Sequence, residues 1–138
     1  MEKLAIQLAL NGAVVLTAGM LGGMFLYKAI LNGGNETDWH LLHAGGSVRG
    51  VMLIALAATI HLPALPAWQL WVASWLIIFF TWTSMLAMIM RAVTGERGFG
   101  FTGSNTNKII FVLYALGTVA VFTGFLWLIF GLVFALWK

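Results

Sequence analysis

Read for where apolar and polar residues fall, the chain divides into long apolar runs separated by three polar breaks. A membrane-spanning helix needs about 20 apolar residues. Residues 4–31, 68–90 and 109–137 meet that length, and residues 39–60 meet it with an atypical first third. The breaks read NGGNETD (32–38), HLPALPA (61–67) and RAVTGERGFGFTGSNTNK (91–108). Pro63 and Pro66 stop the second run and start the third, because proline ends a helix and is tolerated where one begins. Four helices with no open sheet edge satisfy every backbone polar group internally, as lipid requires. The expected fold is all-α: one integral-membrane domain over residues 1–138, a bundle of four transmembrane helices. The first run stays apolar from Leu4 to Tyr27, beyond the 7–15 residues of a signal-peptide core. It is expected to remain as a spanning helix.

Composition sharpens this. Hydrophobic residues make up 62% of the 138 and charged ones 8%, against about 25% charged in a soluble domain. A chain this short cannot bury so much apolar surface in an aqueous core, so its surroundings are a lipid bilayer. There is no cysteine, which excludes disulfides, thiolate catalysis, Cys-ligated zinc, iron–sulfur clusters and c-type haem. The net charge of +3 is scattered and reads as topology, not as nucleic-acid binding. Lys28, Arg91, Arg97 and Lys108 flank the first and third breaks, against Lys3 and Lys138 on the terminal side. That balance weakly favours those two loops inside, and a bacterial inner membrane is the expected location. Trp39, Trp68, Trp71 and Trp137 sit at run ends, as interfacial anchors do.

Small residues are patterned. Gly117, Gly124 and Gly131 recur every seven residues, Gly12 and Gly19 do the same, and Gly19 and Gly23 form a small-x-x-x-small motif. Such stripes let helix backbones approach closely. Packing within one subunit is the first expectation and contacts between copies the second.

Candidate chemistry concentrates in HLLHAGGSVRG, residues 40–50. At 100° per residue, His43, Gly46, Ser47, Gly50, Ile54 and Ala57 share one helix face, with His40 at its edge. Small residues beside an imidazole leave a slot that suits a flat macrocycle ligated by His43 or His40, and helix bundles build such sites from inward-facing side chains. Another metal, or a histidine bonded to a neighbouring carbonyl near the membrane boundary, fits the same spacing. One helix cannot supply both axial ligands, so a site on it implies five-coordinate iron or a partner helix. Arg49 lies eleven residues after Asp38, about 16 Å along the axis. A charge at that depth costs at least ~2.5–3.5 kcal/mol and faces a partner or a watery cavity. No acidic residue sits inside a run. The missing anion is a haem propionate or a substrate group, or Arg49 snorkels to Glu36, Asp38 or Glu96 in the loops.

These motifs resemble a family. The second run reads His43-AGGSV-Arg49-Gly50-Val51-Met52, and the third break contains Arg97-Gly98-Phe99-Gly100-Phe101. With Asn11-Gly12 and the overall length, they resemble the small four-helix membrane isomerases that include styrene oxide isomerase and hydroxylaminobenzene mutase. In those proteins a histidine opens the second helix, Asn-Gly follows six residues on, and an Arg-Gly-x-x-Phe element precedes the loop. The resemblance implies a homotrimer with non-covalent haem b near the subunit interfaces, ligated by the histidine matching His43. On the helix face, Gly46, Ser47 and Gly50 would leave room for that cofactor beside His43, and Arg49 would add a positive charge near the pocket to anchor a propionate or favour an anionic ligand. The resemblance also implies Lewis-acid, redox-neutral rearrangement of a small apolar substrate, an epoxide to an aldehyde or an arylhydroxylamine to an aminophenol. The family's asparagine falls at Arg49 and its substrate-positioning tyrosine at Met88, so Arg49 and Met88 are the expected substrate-side positions, both altered. Other readings are a haem protein for electron transfer or small-ligand binding, and a cofactor-free structural subunit. Small four-helix exporters use a membrane-embedded acid, which this chain lacks.

Overall fold

The computed structural model describes residues 1–137; Lys138, counted above on the terminal side, lies outside the described residues. Four helices follow in order: α1 (Glu2–Asn32), α2 (Glu36–Thr59), α3 (Ala67–Thr94) and α4 (Asn105–Leu136), with no strand among the described residues. Each is long and apolar enough to cross a membrane. Two begin earlier than hydropathy predicts, because their first turns are polar and capped. Asn35 caps α2, its side-chain oxygen accepting from the Asp38 N–H at 3.4 Å. Ser104 caps α4, accepting from the Asn107 N–H at 3.1 Å. Such caps satisfy amide donors that a helix start leaves unpaired. α1 and α3 end on Gly33 and Gly95 in the left-handed region, at φ 64° and 75°, the usual glycine stop.

The chain folds as two tight hairpins. α1 packs on α2 and α4 on α3, while α3 alone touches all three other helices. It is also the most enclosed: 56% of its apolar window is buried, against 22–28% for the others. One apolar core, including Leu4, Leu8, Leu53, Ile77 and Leu128, lies toward the end of the bundle holding the termini and residues 60–66. A second, of Val15, Leu42, Met85 and Met88, lies toward the other end. Between α1 and α3, the Trp82 indole N–H donates to the Asn11 side-chain oxygen at 2.9 Å.

The glycine stripes are spent inside the subunit. A Cβ on Gly12 would stand 2.8 Å from the Gly50 carbonyl oxygen. On α4, Gly117 abuts Thr83 and Phe80, Gly124 abuts Ala73 and Ile77, and Gly131 abuts Leu65 and Pro63. Close backbone approach of this kind drives helix association where lipid removes the hydrophobic force between helices.

Candidate functional site

Helix α2 presents its chemistry on two sides. Toward α1, the two backbones meet. A Cβ on Gly19 would stand 2.6 Å from the Ser47 nitrogen, and one on Gly50 would stand 2.6 Å from the Leu16 nitrogen. The slot expected beside His43 at Gly46, Ser47 and Gly50 is therefore filled by α1. Clearance for a helix and clearance for a macrocycle demand the same small residues, and here the helix takes the space.

The His43 ring itself lies over the Gly19-x-x-x-Gly23 step of α1. Its Nδ1 is 2.9 Å from the Gly19 carbonyl oxygen. A carbonyl can only accept, so Nδ1 carries a proton, and in the neutral ring Nε2 is the nitrogen with the lone pair. Among the described residues only Nδ1 of the ring has a hydrogen-bond partner, and the residue is half-buried. A Cβ on Gly23 would stand 2.9 Å from Nδ1 and 3.1 Å from Cε1, so only glycine leaves the ring this seat. Behind it, the Ser47 hydroxyl donates to the His43 carbonyl at 2.8 Å. Gly23 also lines an apolar groove of about 870 Å³ on the outer face of α1, with Met20, Met24, Tyr27 and Lys28. His40 is exposed one turn earlier, and His61 is exposed in the short connection before α3.

Toward α3, long side chains fill the gap instead. The Arg49 Nη1 donates to the Gly45 carbonyl at 2.9 Å, lies 3.9 Å from the Met88 sulfur, and the guanidinium stands 5.1 Å from the centre of the Phe80 ring. Arg49 does not reach the loop acids. The Arg91 guanidinium holds Asp38 Oδ1 at 2.7 and 3.2 Å, and the Asn35 amide donates to Oδ2 at 2.9 Å. The Ser104 hydroxyl donates to Glu96 at 2.8 Å. Arg49 and Met88 thus come together, on the side of α2 away from α1, while His43 lies against α1. Sequence reasoning missed Tyr114 of α4, which packs on the Met85–Met88 cluster with Arg49, Arg91 and Asp38 as its charged neighbours. Its signal was a hydroxyl-tipped aromatic in the middle of an apolar run.

The third connection is ordered by one side chain. The Gly98 N–H donates to the Asn107 side-chain oxygen at 2.7 Å, and the Asn107 amide donates to the Gly100 and Thr102 carbonyls, each at 2.9 Å. Gly98 is left-handed at φ 68°, and a Cβ there would run into Ile110. Arg91 stands 5.6 Å from the centre of the Phe99 ring, so the Arg97–Phe101 element sits against the Asp38–Arg91 pair.

A family model described as styrene oxide isomerase matches residues 4–133. The chain belongs to the styrene oxide isomerase family. The match spans all four helices and takes in His43, Arg49, Met88 and the Arg97–Phe101 element. No curated protein matches the chain. Family membership carries an isomerase-like function for this membrane protein.

Proposed function

We propose that the chain is a membrane-embedded haem b isomerase, with His43 Nε2 as the axial ligand. The observation that carries this is the Nδ1–H bond from His43 to the Gly19 carbonyl, at 2.9 Å. Metal-ligating histidines are held by just such a bond on their other nitrogen, which fixes tautomer and ring orientation. No group of three or more His, Asp or Glu side chains occurs among the described residues. A bare ion would find one protein ligand at His43, whereas a porphyrin brings four nitrogens of its own and asks for one. What speaks for such a group is Gly23, which lies beside the His43 ring and also lines the apolar groove of α1, whose rim carries Lys28 as a cation for a propionate; His43 itself does not line that groove. Gly46, Ser47 and Gly50 then serve the site indirectly, by seating α1 against α2 so that Gly19 meets His43.

The chemistry supplied by the group when bound is Lewis-acid polarisation of an oxygen, suited to redox-neutral rearrangement of a small apolar epoxide or arylhydroxylamine. The chain's part is to hold the ligand nitrogen deprotonated and aimed, and to keep water from the apolar groove. A groove open on one subunit is sheltered when a second copy lies over it. The proposed assembly is the homotrimer, in the bacterial inner membrane.

The test is an absorption spectrum of detergent-purified protein expressed with ample haem. A Soret band that His43→Ala abolishes and His40→Ala leaves unchanged is the expected result, with epoxide converted to aldehyde without added reductant. Colourless protein under those conditions overturns the reading. A coloured protein that cycles with a quinol and isomerises nothing points to electron transfer instead.

A further inference from the structure

At the end of the bundle that carries the first and third connections, Lys108 is a cation with no carboxylate of its own. Among the described residues the one ion pair is Arg91 with Asp38, and Glu96 accepts from Ser104. Glu36 is exposed at the start of α2, and Glu2 stands at the opposite end. The Lys108 ammonium lies 5.9 Å from the centre of the Phe101 ring. That ring is held in place. The Asn107 amide bonds the carbonyls on either side of it, Gly100 and Thr102, and the Phe111 ring stands 6.3 Å from it. The pair lines a groove of about 460 Å³ that continues along α4 over Asn105, Ile109, Val112 and Leu113. Positions 105, 108, 109, 112 and 113 follow the i, i+3, i+4, i+7, i+8 spacing of one helix face. The face is polar for its first turn and apolar after it. α4 has 32 residues, about 48 Å at 1.5 Å per residue, against a hydrocarbon core of about 30 Å. Shared between the two ends, the excess is about six residues at each. Lys108 then stands in the headgroup layer, and Val112 and Leu113 in the hydrocarbon.

We infer that this groove docks one anionic phospholipid of the surrounding leaflet, with its phosphodiester at Lys108 and Asn105 and an acyl chain along Ile109, Val112 and Leu113. Charge complementarity selects the occupant. Lys108 lines the groove and no acid does, and the basic residues at this end, Lys28, Arg91, Arg97 and Lys108, outnumber the acids Glu36, Asp38 and Glu96. Basic loops of this kind are attracted to the leaflet that carries anionic lipid. A zwitterionic lipid brings a cation of its own toward Lys108. A water-soluble anion leaves the apolar length of the groove unfilled. The contact between Lys108 and Phe101 keeps the ammonium at the polar end, where a phosphate meets it. A lipid seated there bridges Phe101 of the third connection to α4, and so braces the Arg97–Phe101 element that rests on the Asp38–Arg91 pair. The site uses neither His43 nor the groove of α1, so it stands or falls apart from the haem reading.

The experiment is native mass spectrometry of the detergent-purified full chain with phosphatidylglycerol and phosphatidylcholine of identical acyl chains, alongside thermal unfolding in the same mixtures. The expected result is one phosphatidylglycerol retained per chain in preference to phosphatidylcholine, with a higher melting temperature. Lys108→Gln should weaken that binding about fivefold, the worth of one lysine near an anionic surface, and Lys108→Arg should retain it. Lys3→Gln, at the opposite end of the bundle, should leave it unchanged. Val112→Trp fills the apolar stretch and should weaken binding with Lys108 intact. Glycerol phosphate, a head without a chain, should not compete. Equal retention of the two lipids overturns the inference, because a groove that reads acyl chains alone is ordinary lipid contact. Binding that Lys108→Gln leaves unchanged overturns it as well. Competition by glycerol phosphate does the same, since it makes the site one for a soluble anion. The Soret band of the same samples reports on haem separately.

Discussion

The two sides of α2 solve opposite packing problems. Toward α1, Gly46 and Gly50 meet Gly19 and Leu16 backbone to backbone, with no side chain between them. Toward α3, the backbones stand apart, and Arg49, Phe80, Met85, Met88 and Tyr114 reach across. The first side can be built one way only, because backbone atoms cannot step aside. The second holds flexible chains and unsatisfied donors, so it can rearrange. One helix thus carries a fixed face and an adaptable one.

The comparison breaks most severely at Gly19. A leucine there meets the Ser47 and Gly46 backbone, and Gly19→Leu should destabilise the subunit by ~3 kcal/mol or more, since overpacking with no room to relax exceeds the usual penalty. Aggregation or loss of the monodisperse peak in size-exclusion chromatography is the measurement. Next comes the polar tie between α2 and α3. Removing one partner of a buried ion pair costs about 3–5 kcal/mol; Arg91 and Asp38 retain 12% and 9% side-chain exposure, which puts Asp38→Ala nearer ~2–3 kcal/mol. Thermal unfolding should show Asp38→Asn with Arg91→Met less damaged than Asp38→Ala alone. The smallest effect is the sharpest. A Cβ on Gly50 would press on Leu16 backbone, whereas one on Gly45 would press on the ends of Arg49 and Met88, at 2.6 and 2.9 Å. Gly50→Ala should cost ~1–3 kcal/mol. Gly45→Ala should be near neutral, because alanine's helix propensity returns up to ~1 kcal/mol. Equal melting shifts for the two would erase the distinction between the faces.

Hydropathy was enough to read the four helices, since an unbroken apolar run of about 20 residues satisfies its backbone in lipid as a helix, whereas a barrel strand is half that length and alternates. It misplaced the starts of α2 and α4, at 39 against Glu36 and at 109 against Asn105, because capped polar turns look like loop to a hydropathy window. The glycine face around His43 was legible as a face but not as to what fills it: absence of a side chain marks close approach without naming the visitor. Arg49 and Met88 were legible as a pair only through the family resemblance, which the family match over residues 4–133 bears out. Asp38–Arg91 joins residues 53 apart; the ends of antiparallel neighbours share a membrane level, but nothing in the sequence says that α2 and α3 are neighbours there. Tyr114 was invisible as a site residue because its meaning depends on what stands opposite it.

Asn107 has a practical consequence. By tying Gly98, Gly100 and Thr102 to the start of α4, it makes the longest connection a rigid cap, in which an inserted epitope or fluorophore would tear out three bonds at once. The place to graft a reporter is the shorter connection at the same end of the bundle. Gly33 and Gly34 are exposed there, and a Cβ on Gly33 would touch nothing. A tag between them would show which side of the membrane this end faces while leaving the bundle as it is.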